Sequence, residues 1–205
     1  WVNIGRNQIH LPIKDAQVMR GHVGLVVPSL DGLVKRPGMV KEHLSKTQFS
    51  FERRNGQVDI TCPWGNKFRA YKPDEKRFGR IILGMPYLAF DVPKGAADKI
   101  GRFYQKVVGA PAAIEKKKGG ASAKVTVGHN QHLYFNETHN VPAYDGHHIQ
   151  IYLVNFSGPH RQLQDRGLVT EESNQFQYRF KQLVDPDSNE PVYELEHEMR
   201  SITHP

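Results

Sequence analysis

One cysteine, Cys62, stands in 205 residues, so no disulfide can close within the chain, and a reducing compartment is the simpler setting. No stretch approaches the roughly 20 consecutive apolar residues of a membrane-crossing helix. Phosphate-cradling glycine loops, the dinucleotide fingerprint and the Gly-x-Ser-x-Gly elbow are missing, which removes the commonest nucleotide-dependent and serine-hydrolase readings. Zinc-finger spacing, a helix-turn-helix pattern and an aromatic platform are missing too. The net charge of +7 would attract acidic partners. Its sources, however, are dispersed over "KRPGMVK", "KFRAYKPDEKRFGR" and "IEKKKGG". The lysines of the last stretch read as the solvated tip of a loop, and the sequence argues against a nucleic-acid partner. The chain opens on Trp1 without a secretory pattern. The expectation is a soluble, intracellular protein of the cytoplasm or an organellar matrix.

What is present is ordinary globular composition, 38% hydrophobic and 24% charged, arranged as a repeat. "GRNQIHL" echoes "GHNQHLY", "GHVGLVV" echoes "HHIQIYL", and "PWGNKFRAY" echoes "PDSNEPVYELE", each pair about 124 residues apart. Alternating apolar positions predict a strand over 85–93, and Ile100, Phe103, Tyr104 and Val107 at helical spacing predict a helix over 95–108 that Gly109 stops. Strands near 112–117, 122–128, 131–136 and 147–154, a helix over 159–166, and strands near 176–184 and 191–199 complete a βαβββ plan read twice. The first copy keeps only its later parts: strands at 8–11 and 22–27, a helix from about 30, and strands at 48–53, 57–62 and 66–71. The predicted class is α+β, with an incomplete first domain over 1–80, a complete second domain over 81–205, and further residues expected upstream.

Strand parity selects candidate residues. In "GHHIQIYLV" the isoleucines Ile149 and Ile151 share one face, so His148, Gln150 and Tyr152 share the other. Tyr87 lies opposite Leu88 and Phe90, His132 and Tyr134 opposite Leu133 and Phe135, and Glu194 and Glu196 opposite Tyr193 and Leu195. A polar concavity requires this arrangement. His147 falls at the mouth of its strand.

These motifs resemble the vicinal oxygen chelate superfamily of glyoxalases, bleomycin resistance proteins and extradiol dioxygenases. The resemblance is carried by "MPYLAFDVP…ADKIGRFYQKVVGA", "GHHIQIYLVNF", "LVDPDSNEPVYELEHE", "RGHVGLVVPSL" and "CPWGNKFRAY". It implies half-open barrels of βαβββ modules holding a divalent metal (Fe, Mn, Zn or Ni). Matched by position, the fifth-strand ligand is His148 and the last-strand ligand Glu194, while Tyr87 stands where histidine is usual and His132 is a further ligand candidate. Gln150, Tyr152 and Tyr134 would then face the substrate, and Glu196 or His132 would accept a proton. The function implied is a metal-dependent lyase or dioxygenase acting on a small substrate with vicinal oxygens. The alternative is a non-catalytic scaffold or ligand-binding subunit, in a homo-oligomer or a larger assembly, with a degenerate metal site. In the first copy the histidine matches His22 but the carboxylate position matches Arg69, whose permanent charge repels a cation. That copy is expected to be structural or to bind an anion, with His10 a structural histidine.

Three other groupings carry less. "DPDSNEPVYELE" places Asp185, Asp187, Asn189 and Glu196 at calcium-loop spacing, but Glu190 replaces the turn glycine and Pro191 leads into a strand. Cys62 has no basic activator beside it, and Pro-Trp-Gly-Asn after it reads as a hairpin turn. Glu196, His197, Glu198 and Arg200 read together as a salt-bridged final strand.

Overall fold

The computed structural model describes residues 1–11, 13, 15–117 and 119–204; Lys118, in the lysine-rich loop anticipated above, lies outside them. The chain divides into two compact units, Trp1–Phe90 with Gly128–His132, and Asp91–Val127 with Leu133–Pro205. Both are mixtures of sheet and a few helices. Among the described residues no helix is long and apolar enough to cross a membrane.

The first unit opens with a hairpin, β1 (Val2–Ile4) and β2 (Asn7–Ile9), whose Trp1 stacks on His10 at 4.1 Å. There follow β3 (Gly21–Val26), α1 (Leu30–Val40), β4 (Ser50–Arg54), β5 (Gln57–Thr61), β6 (Lys67–Tyr71), the short α2 (Glu75–Phe78) and β7 (Gly84–Pro93). The sheet order is β4-β5-β6-β3-β7, with β3 parallel to β6 and antiparallel to β7. Ser29 caps α1, its Oγ accepting from the Gly32 amide at 3.1 Å. Leu30 of that helix packs with Val58 and Ala70, and Leu25, Val27, Leu33, Val34, Phe51 and Ile60 close the cluster. These residues occupy alternate strand positions, so the opposite face of the sheet must be the polar one. Cys62 sits in the anticipated turn, its amide donating to the Asn66 carbonyl at 2.8 Å.

The second unit runs from the end of β7 through α3 (Ala96–Phe103) into a π-helical turn over Tyr104–Val108. Gly109, at φ 77°, ends it by donating its amide to the Tyr104 carbonyl, a left-handed position that glycine occupies without steric cost. Then come β8 (Ala112–Lys117), β9 (Gly120–Gly128), β10 (Gln131–Thr138), β11 (His148–Leu153), α4 (Ser157–Gln164), β12 (Val169–Asn174), β13 (Gln177–Val184) and β14 (Pro191–Ser201). The last four strands form a sheet in the order β11-β14-β13-β12, with β11 and β14 parallel. Ile100, Phe103, Tyr104, Phe135, Phe180, Leu195 and Met199 are fully buried and make the core.

Besides the unanticipated β1 and α2, two details depart from the sequence reading. The strand β12 was not anticipated, because "VTEESN" is polar and almost wholly exposed and carries no apolar alternation. His197 does not join Glu196, Glu198 and Arg200: it is fully buried on the core face, since neighbouring strand residues point to opposite sides. The "DPDSNE" turn is an ion-pair hub rather than a calcium loop. Asp185 meets Lys99 at 3.4 Å and Arg102 at 3.3 Å, and Asp187 meets Arg102 and, at 2.6 Å, Lys106.

Candidate functional site

In the second unit the parallel pairing of β11 with β14 places His148 beside Glu196, Gln150 beside Glu198 and Tyr152 beside Arg200. Along β14 the buried residues Tyr193, Leu195, His197 and Met199 alternate with Glu194, Glu196 and Arg200, which are partly exposed. The polar face is therefore real, and His148 and Gln150 lie half-buried on it. It is also dense with cations from β13. Lys181 Nζ lies 2.5 Å from Glu194, and Arg179 Nη1 lies 2.5 Å from Glu196. The second guanidinium nitrogen of Arg179 reaches Glu198, which also receives Arg200 at 2.5 Å.

This donor set does not suit a divalent cation. A divalent ion is disfavoured where its carboxylate ligands already face resident positive charge. Here each of the three glutamates is paired with a side-chain cation, and an incoming ion would meet Arg179 and Lys181 at short range. Among the described residues no group of three or more His, Cys, Asp or Glu side chains is placed to hold a metal ion. Of the four ligand candidates, His148 and Glu194 belong to the second unit and Tyr87 and His132 to the first. His132 and Tyr134 are half-buried, on the face of β10 opposite the buried Leu133 and Phe135. Tyr152 is half-exposed, with its hydroxyl 3.5 Å from Arg200.

Behind that face lies a pair the sequence did not single out. The Tyr104 hydroxyl is 2.6 Å from His197 Nε2, while Nδ1 lies 2.7 Å from the Leu195 carbonyl. A carbonyl can only accept, so Nδ1 carries the proton and Nε2 accepts from tyrosine. His197 stacks on Phe180 at 4.3 Å. Burial pushes its pKa down to about 4, only partly opposed by the Leu195 carbonyl, so the ring is neutral near pH 7. At the strand mouth His147 is buried and bonded through Nδ1 to Asp145 at 2.8 Å.

The first unit presents the same positions with the charge reversed. Across β6, β3 and β7, Arg69 pairs with Gly24 and Gly24 with Tyr87. Gly24 is needed: a Cβ there would sit 2.3 Å from the Tyr87 ring, which leans across β3. The Tyr87 hydroxyl thereby comes within 2.9 Å of Tyr71 Oη and 3.3 Å of His22 Nε2. Burial and the Tyr71 hydroxyl raise the Tyr87 pKa well above its ordinary value. Burial, reinforced by Arg69, pushes His22 down to about 4. A protonated phenol and a neutral imidazole result, with Arg69 rather than a carboxylate at the last-strand position.

The order of elements and the repeated sheet plan define a duplicated α+β protein of the βαβββ type. Its fold is shared with solved glyoxalase and dioxygenase-like structures. A Bacillus subtilis protein described as a dioxygenase superposes with a TM-score of 0.55 at 14% identity, covering 92% of this chain and 63% of its own. Glyoxalase I from Zea mays superposes with a TM-score of 0.57 at 11% identity, covering 90% of this chain and 68% of its own. The chain thus spans about two thirds of the length of these structures. At such identities the likeness is one of fold. No family model matches the sequence, and no curated protein matches it.

Proposed function

We propose that this chain is a ligand-binding, non-catalytic module of the vicinal oxygen chelate fold, in which side-chain cations have taken the place of the divalent metal. What supports this reading is the pairing of Glu194 with Lys181 and of Glu196 with Arg179, each at 2.5 Å. The last-strand carboxylates that would hold a metal, or accept a proton from a substrate, are charge-neutralised within their own sheet. The test is elemental analysis after incubation with Fe(II), Mn(II), Zn(II) or Ni(II) and gel filtration. The reading expects metal far below stoichiometric. Stoichiometric metal that disappears in His148→Ala would overturn it.

The runner-up is a metal-dependent lyase or dioxygenase acting on vicinal oxygens, with His148 and Glu194 as ligands, Tyr87 or His132 completing the set, Glu196 or His132 as base, and Gln150, Tyr152 and Tyr134 facing substrate. The observation in its favour is that His148 lies directly beside Glu196 in the parallel register of β11 and β14. Turnover of a hemithioacetal or a catechol by the metal-loaded protein, lost in Glu194→Gln, would establish it. The domain limits 1–80 and 81–205, an intracellular location and assembly into a homo-oligomer or larger complex are parts of the same proposal.

A further inference from the structure

We infer that the polar face of the first unit is a binding site for a small oxyanion, a carboxylate or phosphoryl group, with Arg69 as its principal contact. The charges on that face are unevenly paired. Lys67, Arg69 and Tyr71 alternate along β6 on the face opposite Phe68 and Ala70, and Asp59 of β5 lies directly beside Arg69. Asp59 is nevertheless committed elsewhere. Its Oδ2 lies 3.0 Å from Arg54 Nε, and its Oδ1 accepts from Gln57 Nε2 at 2.7 Å. Arg54 also binds Glu52, through Nε at 3.1 Å and Nη2 at 2.9 Å. One guanidinium thus serves both carboxylates of this face.

Arg69 is left with Asp59 at 3.7 Å as its one ion-pair partner among the described residues, beyond hydrogen-bonding distance. Its side chain is 48% exposed, so a solute can reach it. Lys67, two residues along the strand, is exposed on the same side, and Arg77 lies over the Tyr71 ring at 4.1 Å. The planar guanidinium fork matches carboxylate and phosphate oxygens two at a time, which makes an under-used arginine in a positive field an oxyanion site.

The neighbouring polar groups are fixed in advance. Gly24 lets the Tyr87 ring cross β3, and Tyr71 and His22 hold its hydroxyl in place. Val26, Tyr71 and Phe78, with Ile81 packed against them, close one end of the face with apolar surface. An oxyanion carried on a small organic body would set its charged group on Arg69 and Lys67 and its remainder toward Tyr87. This site lies wholly in the first unit, so its presence is independent of whether the second unit binds metal.

The experiment is an NMR titration of the whole chain with inorganic phosphate and, separately, with oxalate, at constant ionic strength maintained with chloride. The expected result is saturable shifts of the amide signals of Arg69 and Gly24 with at least one of the two probes. Arg69→Gln should weaken that binding about tenfold or more and Lys67→Gln by less, while Arg80→Gln, which removes an exposed charge paired with Glu75, should leave it unchanged. Saturation by phosphate alone or by oxalate alone supports the site and identifies the ligand class. Shifts that rise linearly with both probes, equal affinity in a folded Arg69→Gln protein, or an equal loss in Arg80→Gln would each overturn the inference.

Discussion

The strands β6 and β14, which close the two copies of the repeat, occupy equivalent places in its plan yet carry opposite charge. In β14 the key position is Glu194, with a cation brought to it by the neighbouring strand; in β6 it is Arg69, with a carboxylate beside it that Arg54 has already engaged. The difference teaches that the βαβββ scaffold fixes where a polar face will be, while the chemistry of that face depends on pairs of residues across adjacent strands. A ligand position cannot be judged from its own residue alone, because its cross-strand neighbour decides whether the group is available.

Breaking the network on β14 should have the largest effect. Arg179→Met removes the guanidinium shared by Glu196 and the buried Glu198; Glu198 keeps Arg200, so the loss should reach at most the roughly 3–5 kcal/mol of an uncompensated buried charge. Urea unfolding would measure it, and a double variant with Glu196→Gln should recover part of the loss.

Acid should come next, acting through the core beneath the same strand. The folded pKa of His197 is depressed to about 4 from 6.5. The unfolded chain therefore takes up its proton first as pH falls, and the stability that neutral His197 supports is complete above pH 6.5 and lost as pH falls toward 4. The linked loss is roughly 3 kcal/mol over that window. His22 acts in the same direction from the first unit. Chemical denaturation at pH 7 and pH 4.5 should show the drop, and His197→Leu should remove about half of the slope that the two histidines produce, whatever its absolute stability.

Much of this was legible in the sequence, and the reasons are particular. The strand predicted at 85–93 is Gly84–Pro93, and the helix predicted over 95–108 is α3 with its π turn, because Ile100, Phe103 and Tyr104 form a continuous apolar face and Gly109 supplies the stop. Parity placed His148, Glu194 and Glu196 on the side opposite the core correctly, since a strand has a period of two. It could not reveal Lys181 and Arg179 beside them, because cross-strand partners depend on register, and β13 and β14 contain register shifts between Phe180 and Gln182 and between Leu183 and Val184. The Tyr104–His197 bond was hidden likewise: the partners are 93 residues apart and meet only through packing.

In the first unit, Gly24→Ala tests whether the Tyr87 hydroxyl is held by design of the strand. The new methyl must displace the ring, breaking its contacts with Tyr71 and His22, at a cost of about 2 kcal/mol. Thermal unfolding would record the change. The smallest stability effect belongs to Lys181→Ala, since both it and Glu194 are over a third exposed, and the loss should stay below about 1 kcal/mol. That variant sharpens the comparison in another way: freeing Glu194 should raise affinity for Mn(II) above that of the unaltered chain.

The central claim, that resident cations have displaced the metal in the second unit, is tested most directly by electron paramagnetic resonance of Mn(II) added to the unaltered protein. The six-line signal of the free aqueous ion should persist undiminished with the chain in excess. Its stoichiometric disappearance, with recovery in His148→Ala, would contradict the account.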